Sequence, residues 1–281
     1  MLRTVLALLA VLAPACRSPH PPAAAGSRPD TIAFNRGGTI LLLDVATGRE
    51  TVLVADNSYA RPLHWLSSGE RLVYWNHDGG AWDLWSVEPE SGERRNLTRS
   101  ASDARSAASS PDGRTVAFQR GGQGVWLMDA DGGNERRVHE RGHRDAPPAW
   151  SPSGRLLAFT DLESGPGDAS ALVVHVVEFE DDRVAGNRVA GARRIGGGEA
   201  QFFLDDRTLV VSTAHGGQRE LVAVDLASGE RSPLTASAAR DDNAVLSPDR
   251  RRFAWVESGE EASRLMVMGA DGSNARALAG S

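Results

Sequence analysis

Residues Ser110 to Arg137 read SPDGRTVAFQRGGQGVWLMDADGGNERR, and much of the chain repeats this pattern. It opens on a tight turn, Ser110-Pro111-Asp112-Gly113. Proline presets φ there, Asp bonds its own backbone, and Gly takes the conformation other residues resist. A short apolar run follows (Val116, Ala117, Phe118), then a polar break at Arg120-Gly121-Gly122. A second run, Val125-Trp126-Leu127-Met128, ends in another turn, Asp129-Ala130-Asp131-Gly132. Each run has the length of one strand, and the breaks suit hairpins.

Working outward, six such units are legible between residues 30 and 281. The first holds Thr31-Ile32-Ala33-Phe34, Ile40-Leu41-Leu42-Leu43 and Thr51-Val52-Leu53-Val54, without a clear leading strand. The second adds a leader, Leu63-His64-Trp65, and replaces the Ser-Pro-Asp-Gly turn by Ser67-Ser68-Gly69. The fourth has a longer outer hairpin, Ala171 to Phe179 returning through Arg188 to Ile195. The fifth and sixth carry Leu209-Val210-Val211 and Phe253-Ala254-Trp255. Equivalent second-strand ends are read as Phe34, Trp75, Phe118, Phe159, Val211 and Trp255, spaced 41, 43, 41, 52 and 44 residues apart. Three or four short strands per period of that length predict the blades of a β-propeller. One small sheet cannot bury both faces, so blades stack in a ring and the recurring aromatic packs between them. The expectation is an all-β fold of six antiparallel blades, the first of them incomplete.

Ser-Pro-Asp-Gly-Arg followed by apolar-Met-Asp-Ala-Asp-Gly-x-Asn, with Asp271-Gly272-Ser273-Asn274 in the last unit, resembles the WD-like repeat of TolB-type β-propellers. The resemblance covers about Asp30 to Leu278. Full TolB proteins carry an α/β domain ahead of the propeller, where this sequence has only Arg17 to Pro29, so the resemblance is to the propeller part.

Residues 1–15 read as a signal peptide: Arg3 supplies positive charge and Val5 to Leu12 an apolar core too short to span a membrane. Two cleavage readings compete. Ala13-Pro14-Ala15 or the later Ala23-Ala24-Ala25 would serve a general signal peptidase, whereas Leu12-Ala13-Pro14-Ala15-Cys16 resembles a bacterial lipobox. On the second reading, Cys16, the single cysteine, carries a lipid; the plainer alternative is a cysteine lost with the signal. Residues 16–29, rich in Pro and Ala, read as a tether holding the domain off a bilayer. The expected location is therefore outside the cytoplasm, as a periplasmic or outer-membrane lipoprotein.

A net charge of −6 argues against a nucleic-acid partner, since phosphate binding needs a basic face. His139-Glu140-Arg141-Gly142-His143 matches the zinc-protease pattern, but Gly142 and the following Pro147-Pro148 disfavour the helix that pattern needs. Asp129 to Asn134 hints at a calcium loop, lacks the terminal Glu, and reads as a hairpin turn. No G-x-S-x-G nucleophile elbow of a propeller hydrolase occurs. Trp82 and Trp85 could form a binding patch and read more simply as inter-blade packing. No cofactor is expected.

What remains is the channel mouth. Leading strands line a propeller's centre, and in or just before them stand Arg61, His64, Asp103, Arg105, Arg144, Asp145, Glu199, Arg240, Asp241 and Asp242. Solvated loop charge explains them, as does a rim that recognises a protein segment through charge-assisted pairs. The resemblance favours the second, because this region of TolB-type propellers receives partner proteins. The leading expectation is a non-enzymatic, protein-binding envelope module anchored at Cys16. The alternative is a small-ligand- or metal-binding propeller enzyme using polar channel residues, with His64 or His143 as ligand. A structural envelope protein without a discrete site is the third.

Overall fold

The computed structural model describes residues 11–12, 31–44, 47–55, 61–66, 69–77, 80–99, 102–143, 145–164, 170–179, 189–215, 218–237, 239–247, 249–259 and 262–280. Six four-stranded antiparallel sheets follow one another in chain order, each a meander. Blade 1 comprises β1 (Val11–Leu12), β2 (Thr31–Arg36), β3 (Thr39–Asp44) and β4 (Glu50–Val54). Blade 2 comprises β5 (Arg61–Trp65), β6 (Leu72–His77), β7 (Trp82–Val87) and β8 (Arg94–Asn96). Blade 3 holds β9 (Ala104–Ser109), β10 (Thr115–Arg120), β11 (Gly124–Asp129) and β12 (Arg136–His139). Blade 4 holds β13 (Ala149–Trp150), β14 (Leu156–Ser164), β15 (Ser170–Phe179) and β16 (Val189–Gly197). Blade 5 holds β17 (Glu199–Phe203), β18 (Thr208–His215), β19 (Gln218–Asp225) and β20 (Arg231–Pro233). Blade 6 holds β21 (Arg240–Leu246), β22 (Arg252–Ser258), β23 (Ser263–Gly269) and β24 (Arg276–Gly280). The described residues contain no helix.

The turns close as their sequences dictate. Ser110 Oγ donates to Asp112 at 2.6 Å and accepts from Thr115 N at 3.0 Å, and Gly113 N donates to Ser110 O at 2.9 Å. Gly113 sits at φ 71, where a side chain is strained. The last blade repeats this around Ser247 and Asp249, but with Arg250 in the glycine's place at φ 57.

Two expectations are corrected. Blade 1 is not short of a strand: Val11 pairs with Ala33 and Leu12 with Ile32, so its first strand comes from the stretch read as a signal peptide. The rest of that stretch, Cys16 and the 16–29 tether lie outside the described residues. Second, Trp75 is one place out of phase. Gly69 N closes on Leu66 O as Gly113 N does on Ser110 O, so the two glycines correspond. Tyr74, spaced from Gly69 as Phe118 is from Gly113, takes the recurring aromatic position, fully buried against blade 1. Trp75 points the other way, toward blade 3.

Buried apolar clusters join blade 1 to 2 (Ile40 with Tyr74), 2 to 3 (Val73 with Phe118) and 3 to 4 (Leu127 with Phe159). Others join 4 to 5 (Val174 with Val211) and 5 to 6 (Val210 with Trp255). Each fully buried Leu or Phe in them contributes about 1.5–3 kcal/mol. Among the described residues no such cluster joins blade 6 to blade 1. At that seam Val245 of blade 6 is 40% exposed and Val52 of blade 1 62% exposed.

Candidate functional site

The first strands of blades 2 to 6 surround a cavity of about 580 Å³, lined by His64, Ala107, Trp150, Phe203 and Ala244 among others. Alanines on β9, β13, β17 and β21 leave room there that larger side chains would fill. The cavity also runs along Ala254 and Val267 of blade 6, the side on which no blade cluster seals the ring. Register shifts interrupt the pairing of β5, β9, β17 and β21 with their neighbours. Ser106 and Asn243, at φ 52 and φ 54, mark two of them. Such bulges re-aim side chains. Here one lets Gln201 Oε1 accept from Ala244 N at 2.9 Å, tying blade 5 to blade 6.

Of the ten residues anticipated at the mouth, two line this cavity: His64 and Glu199. The ring of His64 reaches the wall while its nitrogens are enclosed, beside the backbone of Ala107. Burial pushes its pKa down to about 4, so the imidazole is neutral at physiological pH. Glu199 is held by Arg219 at 3.1 Å, which also donates to Ser212 O.

Asp103, Arg105 and Asp145 do come together. The Arg105 guanidinium lies 4.6 Å from the Trp82 ring centroid and 5.3 Å from that of Trp75. It pairs with Asp103 at 3.1 Å and Asp145 at 3.4 Å. Asp103 also accepts from Trp82 N at 3.1 Å, so one arginine links blades 2, 3 and 4 at the face where the first strands begin. Arg240 pairs with Asp242, whose other oxygen accepts from Asn243. Asp241 is not on the rim: it is fully buried and accepts from Trp255 Nε1 at 3.0 Å and Ser237 at 3.2 Å. Burial holds its carboxyl above the usual range. Arg61 pairs through its backbone with Trp75, its side chain falling outside the described residues, as does Arg144.

Trp82 and Trp85 do not form one patch. Three residues apart on a strand, they face opposite sides: Trp82 packs on Trp75 at 4.6 Å between centroids, and Trp85 joins the core between blades 1 and 2. Asp129 to Asn134 is a turn closed on itself, with Asn134 donating to Asp129 at 2.6 Å. His139 ends β12 and residues 140–143 are irregular, so the zinc-protease pattern has no helix. Sequence reasoning missed Trp75 as the arginine's platform and Arg219 as the partner of Glu199. No spacing signal marks either, because both meet their partners through tertiary packing.

No protein-family model matches the chain. It is 28% identical over 145 residues to the TolB homolog of Chlorobium chlorochromatii, covering 51% of this chain and 30% of that protein. It is 26% identical over 202 residues to the uncharacterized peptidase YuxL of Bacillus subtilis, covering 70% of this chain and 28% of that one. The chain thus spans about a third or less of these two relatives. Among solved structures, a TolB-named protein of Agrobacterium tumefaciens superposes with a TM-score of 0.67 at 17% identity over 86% of this chain and 88% of that one. TolB of Acinetobacter baumannii gives 0.64 at 15%, over 86% and 61%. Puromycin hydrolase gives 0.67 at 19%, over 96% of this chain and 50% of the enzyme.

Proposed function

We propose that this TolB-type β-propeller is an exported, lipid-anchored, non-catalytic module that holds a segment of an envelope protein at its channel mouth. The observation that carries the reading is the Arg105 cradle. Its guanidinium lies over two tryptophans beside the exposed carboxylate of Asp145, at the face where the first strands begin. Trp and Arg are the residue types that dominate binding energy at protein interfaces, and a flanking ion pair sets orientation and on-rate. The relatives named TolB supply the class of partner, and Cys16 supplies the anchor.

The test is affinity purification of tagged protein from crosslinked, detergent-solubilised envelope, beside an Asp145→Arg, Trp82→Ala variant. Asp241 is left intact because it is buried. A partner recovered with the wild type and lost with the variant supports the reading; recovery unchanged by the variant overturns the site. Labelling with a radioactive fatty acid, abolished by Cys16→Ala, tests the anchor.

A second reading rests on the cavity, whose volume lies in the range of small-molecule sites. It makes the protein a ligand-binding propeller or enzyme, as the likeness to puromycin hydrolase allows. A ligand that protects the purified protein from thermal unfolding while no envelope partner is captured would favour it.

A further inference from the structure

The top of the seam between blades 3 and 4 gathers a polar cluster that no part of the channel reading uses. Asp161 and Glu163 stand two residues apart on β14 and so share one face of blade 4. His175 joins them from β15, where it pairs with Phe159. One donor atom from each of the three lies within 4.8 Å of the other two, and Glu163 Oε1 is 3.0 Å from His175 Nε2. The face continues the blade 3–4 core: Leu157 and Phe159 precede the carboxylates, and Phe159 stacks on His175 at 5.6 Å between centroids. The His139-to-His143 loop crosses this cluster. His139 lies 5.6 Å from the His175 ring, Arg141 reaches Asp161, and His143 N donates to Thr160 O.

A second observation concerns unsatisfied atoms. Asp161 is 2% exposed, and its Oδ2 meets Arg141 Nε at 3.2 Å as an ion pair without the geometry of a hydrogen bond. Gln119 Oε1, His143 Nδ1 and His175 Nδ1, on the same seam, are also buried without one. Buried polar groups are rarely left so, and a concentration of them at one place marks a polar site that a water, an ion or a ligand can complete.

We propose that Asp161, Glu163 and His175 bind one divalent transition ion of the zinc or manganese class. Two carboxylate oxygens and an imidazole nitrogen are donors such ions accept, at about 2.0–2.2 Å each. Donors already within 4.8 Å of one another need to move by only about an ångström to converge. His175 then ligates through Nε2, with its proton on Nδ1. The competing cations are Arg141 on Asp161 at 3.2 Å and Arg194 on Glu163 at 3.3 Å. Their side chains are 58% and 59% exposed. Both guanidiniums are exposed while the carboxylates are not, so each can swing into solvent as the ion takes over the balance of negative charge. The zinc-protease pattern is thus not the site; the loop that carries it lies over one built from other residues.

The test is calorimetric titration of the metal-free full chain with Zn2+ and, separately, Mn2+, with Mg2+ and Ca2+ as comparison. The expected result is one ion per chain, weakened at least about tenfold by Glu163→Gln and lost in His175→Ala, with His143→Ala unchanged. Circular dichroism of each variant confirms folding, and Glu163→Gln carries the argument if His175→Ala unfolds. Arg141→Gln with Arg194→Gln should bind several-fold tighter, because the competing cations are gone; a mere ion-pair network predicts no such gain. Failure of both Zn2+ and Mn2+ to bind, or binding unaffected by Glu163→Gln and the arginine changes, overturns the assignment.

Discussion

Acidification should destabilise the propeller through His64. The imidazole is enclosed between β5 and β9, and its pKa falls from the ordinary 6.5 to about 4 because burial disfavours the charged form. The unfolded chain therefore binds a proton that the folded chain refuses. The contribution is fully present above pH 6.5 and is lost as pH falls through the folded value of about 4. The full shift corresponds to about 3 kcal/mol, of which about 2 kcal/mol is gone by pH 5. The assay is urea unfolding followed by tryptophan fluorescence at pH 7, 6, 5 and 4.5, for the wild type and His64→Leu. The leucine variant should stay close to the wild type at pH 7, because losing the contact with the Ala107 backbone is offset by removing a buried imidazole. It should then lose about 2 kcal/mol less than the wild type by pH 5. Parallel losses in the two proteins would refute the reasoning and place the acid sensitivity elsewhere.

Two further expectations concern the backbone. Gly124 sits at φ 88, and a Cβ there would lie 2.1 Å from His139 O, so Gly124→Ala must force β11 and β12 apart. It should cost several times more than Gly122→Ala, which meets nothing within 4 Å at φ 69 and loses only about 1 kcal/mol; equal urea midpoints for the two would refute this. Arg250→Gly relieves the left-handed strain at φ 57 but removes hydrogen bonds to Phe203 O at 2.6 Å and Leu204 O at 2.8 Å. With partial exposure discounted, the net should be a loss of about 1–2 kcal/mol, and a raised melting temperature would contradict it.

The six-bladed ring was legible because its signal is local. Ser-Pro-Asp-Gly turns, short apolar runs and an aromatic every forty-odd residues are each set by neighbours in the sequence. Where the local signal slipped, the reading slipped with it. In blade 2 Leu66 stands where blade 3 has the serine of the turn, which hid the phase. Since strand side chains alternate, a slip of one residue in the reading exchanged the roles of Tyr74 and Trp75. The site was less legible for the same physical reason. The inner strands carry bulges, so the residues that face the channel cannot be counted off by twos. Asp241 therefore reads as a rim charge beside Asp242, while the fold buries it against Trp255. The Arg105 cradle draws on three blades, and no window of sequence contains it.

The hardest case is Val11–Leu12. Branched apolar residues serve equally as the core of a secretion signal and as a strand, so composition cannot separate the two. The register with Ala33 and Ile32 adds what composition lacks: those residues complete the antiparallel meander of blade 1. Cleavage before Cys16, as proposed above, would remove that strand and leave the inner edge of β2 without it. The cost to the fold should be small. The cluster that ties blade 1 to blade 2 is built on Ala33, Ile40, Leu42 and Val54 from β2, β3 and β4. Among the described residues, β1 adds backbone pairing across two residue pairs. The fold can therefore tolerate either fate of the leader, which is why the blade repeat alone could not decide between them.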